Sequence, residues 1–204
     1  MSNNLFQNPK FDALRSAIYH ADRAAYYTRL CKLLNFGVII LSASVVVKTA
    51  AGGSIREAWL DLGVVVLAAA QLVFDFGHRA CEHGSLMRCY YDVLSEMEGE
   101  DLSVPAVAAK WSAKLARLCA EETVQMRAVA ALAFNHALDA LCADEADRRR
   151  YWQHTRWWHR LLRHVVRFDS VDFGSPGQLA LRRGTPLPPA SVAKLVASAG
   201  TAKK

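Results

Sequence analysis

The sequence predicts an all-α protein: a two-helix transmembrane hairpin continuous with long cytoplasmic helices, plus a basic amphipathic C-terminal helix. Three observations predict it. Two uncharged apolar runs, residues 33–47 and 62–74, flank a turn of small residues, AAGGS. Apolar residues recur at intervals of three and four through most of the remaining chain, and no stretch alternates as a strand would. The arginines of RRRYWQHTRWWHRLLRHVVRF (148–168) gather on one helical face.

The first helix opens at Asn8-Pro9, an N-cap followed by proline in the first helical position. Phe11, Leu14, Ile18, Ala21 and Ala25 form its stripe, so residues 9–30 lead directly into the first apolar run. Fifteen helical residues reach roughly 22 Å, short of a hydrocarbon core of about 30 Å. Lys32 and Lys48 bracket the run and can snorkel, and the neighbouring residues to Ile55 carry no further charge. A first span of about 31–50 follows. Ser54 with Glu57 three later is a capping box that starts the next helix. The second span is about 58–76, with Trp59 suited to the interface and Asp61 beside it. The competing reading of both runs is a buried helix pair in a soluble bundle.

Arg23, Arg29 and Lys32 precede the hairpin, and His78, Arg79 and Arg88 follow it. That asymmetry favours both termini in the cytoplasm, hence a multi-pass membrane protein. The first thirty residues are polar and helical in pattern, so no cleavable signal peptide is expected. Beyond residue 74 nothing stronger than Gly77 or Gly84 interrupts the helix before Gly99, a C′ position after Glu98. Ser103-Val104-Pro105 opens a third helix whose inner face is Val107, Trp111, Leu115 and Leu118. Its spacing continues through Val124, Ala128, Leu132 and Leu138 towards Leu141, and a fourth helix starts near Asp144. Cytoplasmic helices thus occupy 77–168 of a domain spanning 1–168. Residues 169–204, rich in Gly and Pro, read as a largely disordered tail.

Net charge is +6, and its distribution is uneven. Residues 1–100 carry 9 Lys+Arg against 10 Asp+Glu, residues 101–147 carry 4 against 7, and residues 148–204 carry 12 against 2. An anionic partner is therefore to be sought at the C-terminal end. On a helical wheel centred on Trp158, Tyr151, His154, Leu161, Leu162 and Val165 fall within about 60 degrees. Arg149, Arg156, Arg160, Arg163 and Arg167 fall within about 40 degrees of the opposite pole. Trp152 and Trp157 lie on the flanks. Such a helix suits an anionic lipid surface. The plainer reading packs Trp158, Leu162 and Val165 against the other helices. Nucleic-acid binding is a third reading, but no recognition module surrounds the arginines.

Catalytic and metal chemistry are not expected. No nucleophile elbow, phosphate-cradling glycine loop or paired-carboxylate signature is present. His154, His159 and His164 are five apart and diverge around a helix, so they read as polar surface and interfacial side chains. His78 and Glu82 could share a face, and Cys81 and His83 point elsewhere. Cys31, Cys81, Cys89, Cys119 and Cys142 are widely spaced and odd in number, which fits a reducing compartment. No cofactor is implied. The informative polar residues lie within the apolar runs. Asn35 with Ser42, and Gly37 with Ser44, recur at seven, and Gln71 sits beside Ala68, Ala69 and Ala70. They read either as helix-packing positions or as the lining of a water-filled path. Two helices cannot enclose a pore, so a path requires a homo-oligomer.

The stretch YHADRAAYYTRLCKLLNFGVIILSASVVV (19–47) resembles the SLATT family, the SMODS and SLOG-associating two-TM effector domains of bacteria. Tyr19, His20, Arg23 and Tyr27 on a polar helix lead straight into the first span, and a short turn and second span follow. RCYYDVLSEME (88–98) and the segment from Trp111 through EETVQMRAVAALAFNHAL complete a plan covering roughly 10–168. The resemblance implies a membrane effector that assembles and breaches the inner membrane on a nucleotide-linked antiviral or stress signal. A separate nucleotide-signalling or sensor protein would supply that signal. The alternatives from the residues alone are a membrane-anchored scaffold without pore activity and a soluble helical protein binding nucleic acid through the Arg-Trp segment.

Overall fold

The computed structural model describes residues 8–50, 58–120, 125–171 and 173–174. Among them every regular element is a helix and there is no strand. The helices are α1 (Pro9–Ala50), α2 (Ala58–Phe74), α3 (Phe76–Met97), α4 (Pro105–Ala120), α5 (Arg127–Leu141), α6 (Glu145–Tyr151) and α7 (Trp157–Leu162). Residues 51–57, which hold the rest of the expected turn and the Ser54–Glu57 capping box, and residues 172 and 175–204 of the expected tail lie outside the described residues. Two stretches, Pro9–Ser44 and Leu62–Met97, are long and apolar enough to cross a membrane.

The chain divides into two compact units, Ser16–Gly99 and Met1–Arg15 with Glu100–Lys204. Their boundary falls inside α1. That helix starts as the sequence predicts: Asn8 Oδ1 accepts the Lys10 N–H at 2.9 Å, ahead of Pro9. It then runs unbroken for 42 residues.

In the unit Ser16–Gly99, the interruption after the second apolar run is at Asp75, not at a glycine. Asp75 has φ 40°, ψ 53°, and its carboxylate caps α3 by accepting the His78 N–H at 3.2 Å. Aspartate tolerates this left-handed conformation better than most residues. The rotation it introduces lets Phe74 and Phe76 stack at 5.5 Å, which residues two apart in a regular helix cannot do. Helix α3 ends at Met97 with Glu98 as C-cap, leaving Gly99 at C′.

In the other unit, α4 and α5 are separate helices, where the sequence pattern suggested one. The described part of the break is Gln125–Met126, with Met126 extended (φ −83°, ψ 109°). Helix α5 is the core of this unit. Ala128, Val129, Ala131, Leu132, Ala133, Asn135, Ala137 and Leu138 are all buried, and its many alanines let neighbours approach closely. Phe11 of α1 meets Phe134 edge to face at 5.1 Å. On α4, Trp111 Nε1–H donates to Glu100 at 2.6 Å, and Lys110 reaches the same carboxylate at 2.8 Å. These bonds hold the Glu100 carboxyl below its ordinary pKa.

The expected continuous helix over 148–168 is not formed. Helix α6 stops at Tyr151 and α7 starts at Trp157. The cause is Asn135, which is 1% exposed. Its Nδ2 donates to the Gln153 carbonyl and its Oδ1 accepts the Gln153 N–H, both at 2.8 Å. A side-chain amide thus takes the backbone groups that a helix would have used. Past α7, Phe168 (φ 52°) turns the chain, and Val171 N–H bonds to its carbonyl at 3.0 Å. Phe168 and Phe173 then join Ala128 and Ala131 in a cluster against which Trp158 and Val171 pack. Packed structure therefore extends past the boundary at 169 drawn from Gly and Pro content.

Candidate functional site

The polar groups with the most specific surroundings lie in the unit Ser16–Gly99, along α1 and its two partner helices. α1 pairs antiparallel with them in one register. Leu41 Cδ1 lies 3.7 Å from where a Cβ would stand on Gly63, and Leu67 Cδ1 lies 3.5 Å from the same position on Gly37. Gln71 Nε2 donates to Asn35 Oδ1 at 2.9 Å. Tyr27 stacks on Phe76 at 6.4 Å, and His20 bonds to His83. All five pairs are centred on residues 51–53.

Within the apolar half, Gly37 and Gly63 let the helices approach, and large side chains point away from the contact. Leu33, Phe36, Ile39, Val46, Val65, Leu72 and Val73 are exposed, Leu72 to 84%. A water-facing surface of that composition is far beyond what isolated exposed apolar residues would give. Asn35 also reaches Cys31 Sγ at 3.8 Å, a weak contact. Ser44 is turned to its own helix, donating to the Ile40 carbonyl at 2.8 Å. Ser42 is half-buried. The structure thus joins Asn35 to Gln71 and places Gly37 at the helix contact, while Ser44 bonds locally.

Below the apolar half lies a buried aromatic and basic cluster that the sequence reading did not assemble. Tyr19, His20, Arg23 and Tyr27 come from α1, and His83 and Tyr90 from α3; all six are buried. His20 Nδ1 and His83 Nδ1 are 2.9 Å apart. Each imidazole stacks on a tyrosine: His20 on Tyr90 at 5.6 Å and 11°, His83 on Tyr27 at 5.7 Å and 6°. The Arg23 guanidinium donates to the Tyr27 hydroxyl and lies 4.7 Å from its ring centroid. An imidazole–imidazole hydrogen bond needs one N–H and one lone pair, so the two Nδ1 atoms hold one proton between them. These two histidines are therefore internal structural groups, and His159, read with His154 and His164 as a polar surface or interfacial side chain, is buried too, which corrects that reading for His159. Among the described residues no three His, Cys, Asp or Glu side chains converge as a metal site would require.

The predicted surface residues of the basic segment are divided among different surroundings. Arg149 pairs with Glu145 at 2.5 Å, Arg148 with Asp139 at 3.4 Å, and Arg167 with Asp169 at 3.4 Å. Asp139, Glu145, Arg148, Arg149, Trp152 and His154 line a cleft of about 450 Å³ in which each guanidinium already faces a carboxylate. Arg160 Nε donates to Thr155 Oγ1 at 3.3 Å, and Arg163 Nε to His164 at 2.9 Å. Trp158 packs inward, whereas Trp157 is 76% exposed. His159 is 5% exposed, caged by Phe168 at 5.0 Å and Phe173 at 4.9 Å. Its Nδ1 accepts the Arg156 N–H at 3.2 Å. Burial first, and the Arg156 charge second, hold its pKa below the ordinary value of 6.5.

Comparison with known families, characterised proteins and solved structures returns no match. The membrane part of the functional reading therefore rests on the residues and their geometry, and the effector part on the resemblance alone.

Proposed function

We propose that the chain is a bacterial inner-membrane effector of the two-span type. In this reading α1 and α2 form a transmembrane hairpin with both termini cytoplasmic, and α3 carries it into the cytoplasmic helices. Copies assemble through the hairpin and permeabilise the membrane when a separate sensor delivers a nucleotide-linked signal. One observation carries the membrane part: the paired apolar helices meet through Gly37 and Gly63 and turn Phe36, Ile39, Val65 and Leu72 outward. Lipid, or further copies of the hairpin, is the medium that such a surface fits.

A second reading, an anchored scaffold that never conducts, is favoured by the Asn35–Gln71 bond, since each amide there uses its partner within one chain. Carbonate extraction followed by leakage from proteoliposomes separates the possibilities. Retention in the membrane with triggered leakage supports the effector. Retention without leakage under any signalling nucleotide or partner supports the scaffold. Release by carbonate defeats both. For topology, a cysteine at Ser54 in a cysteine-free background should react from outside the cell; reaction only after lysis would overturn the orientation.

A further inference from the structure

The segment RWWHRLLRHVVR (156–167) carries four arginines and no acid. Its folded form is not the two-faced helix that periodicity suggests, and the difference selects a surface. Trp158 packs on the Phe168–Phe173 cluster and His159 is buried beside it, so that side of α7 is occupied. Trp157 and Leu161, four apart on the opposite side, are 76% and 72% exposed, and Val165 is 66% exposed. Leu162 and Val166 are exposed as well. Trp157, Leu161 and Val165 thus stand uncovered on a segment whose charges are all positive.

We propose that Trp157, Leu161 and Val165 are an interfacial anchor for an anionic lipid surface, with Arg156, Arg160, Arg163 and Arg167 engaging the headgroup phosphates. The chemistry favours lipid. An indole ring with aliphatic neighbours suits the boundary between headgroups and acyl chains, and guanidinium binds phosphate in a planar, bidentate way. Arg160 bonds the neutral Thr155 hydroxyl, a contact that does not neutralise its guanidinium. Arg167 shares its charge with Asp169 and should contribute least. The inference does not require the hairpin to span; it deepens the membrane reading by naming a second contact with its own lipid preference.

The test is tryptophan quenching by brominated lipid, on the full chain with neutral or anionic vesicles. Anionic vesicles should add a quenched component that falls at least threefold when salt is raised from 0.1 to 1 M, as the Debye length shrinks from about 10 to about 3 Å. Trp157→Phe should remove that component and Trp158→Phe should keep it. Leu161→Trp in the Trp157→Phe background should restore it, which holds the test if Trp158→Phe fails to fold. Arg160→Glu with Arg163→Glu should weaken it at least tenfold. Trp59→Phe should remove a different component, one common to both vesicle types, if the hairpin is inserted; its absence would count against the hairpin alone. Quenching equal in neutral and anionic vesicles, or carried by Trp158, would overturn the anchor. So would a Trp157 that stays unquenched while the chain self-associates through this patch.

Discussion

Gln71 and Asn35 meet side chain to side chain across α1 and α2, Nε2 donating to Oδ1 at 2.9 Å, on helices whose outward residues are aliphatic or aromatic. In lipid, no water replaces a lost partner. Measured couplings between polar side chains of membrane helices are nonetheless modest, about 0.6 kcal/mol on average and up to about 1.7. A double-mutant cycle of Asn35→Leu and Gln71→Leu, followed by unfolding in mixed micelles, should give a coupling in that range. Zero coupling would show that the bond does not form in a membrane environment. Leakage read on the same variants separates packing from a path. Asn35→Leu with Ser42→Leu should lower leakage without loss of insertion if the amide lines an aqueous route. Unchanged leakage from a normally inserted chain would remove that role.

His20 and His83 give the second prediction. Their hydrogen bond is buried between stacked tyrosines, so removing one partner should cost about 1–3 kcal/mol of stability. His83→Phe should lower the unfolding midpoint accordingly. His20→Phe added to it should recover part of the loss, because two apolar rings leave no broken bond behind. A double variant as unstable as the sum of the singles would mean that the pair is not coupled.

Much of this arrangement is legible in the sequence once the turn is located. Reflection about residues 51–53 places His20 opposite His83 and Tyr27 opposite Phe76, 63 and 49 residues apart in the chain. Reading the histidines by local spacing alone missed this, since no helical period links residues on different helices. The basic segment failed for another reason. Its periodicity is genuine, but a helix over 148–168 competes with two bonds from the buried Asn135 amide to Gln153. That competition is tertiary and leaves no trace in a helical wheel. The wheel does separate Trp158 on the apolar face from Trp157 on the flank, and Trp158 packs on the Phe168–Phe173 cluster, but Val165, which the wheel puts beside it, is exposed.

Asn135 therefore carries a third prediction. Asn135→Ala removes both bonds and leaves the half-buried N–H and C=O of Gln153 without this partner, at up to about 1–3 kcal/mol for each group. The backbone amide of Gln153 should exchange with solvent much faster in hydrogen-exchange measurements, while amides in the middle of α4 keep their protection. Unaltered exchange at Gln153 in the alanine variant would mean that other contacts hold the break between α6 and α7.

His159 sets the pH dependence of the same unit. Its folded pKa lies below the ordinary 6.5, because the Phe168 and Phe173 rings desolvate it and Arg156 adds a like charge. The unfolded chain therefore binds more protons than the folded one between the two values. Stability from this group is complete above about pH 6.5, and it is lost as pH falls through 6.5 towards the folded value. A single proton limits the slope to about 1.4 kcal/mol per pH unit. Protonation would also put a hydrogen on Nδ1, where the Arg156 N–H now donates, so that bond is lost at the same step. Thermal unfolding between pH 7.5 and 5 should show a steeper decline for the native chain than for His159→Phe, which keeps the ring contacts and cannot be charged. The difference should be centred below pH 6.5 and should persist in 1 M salt, since the main cause is desolvation, which salt does not screen. Parallel pH profiles for the two proteins would place the proton uptake at another group.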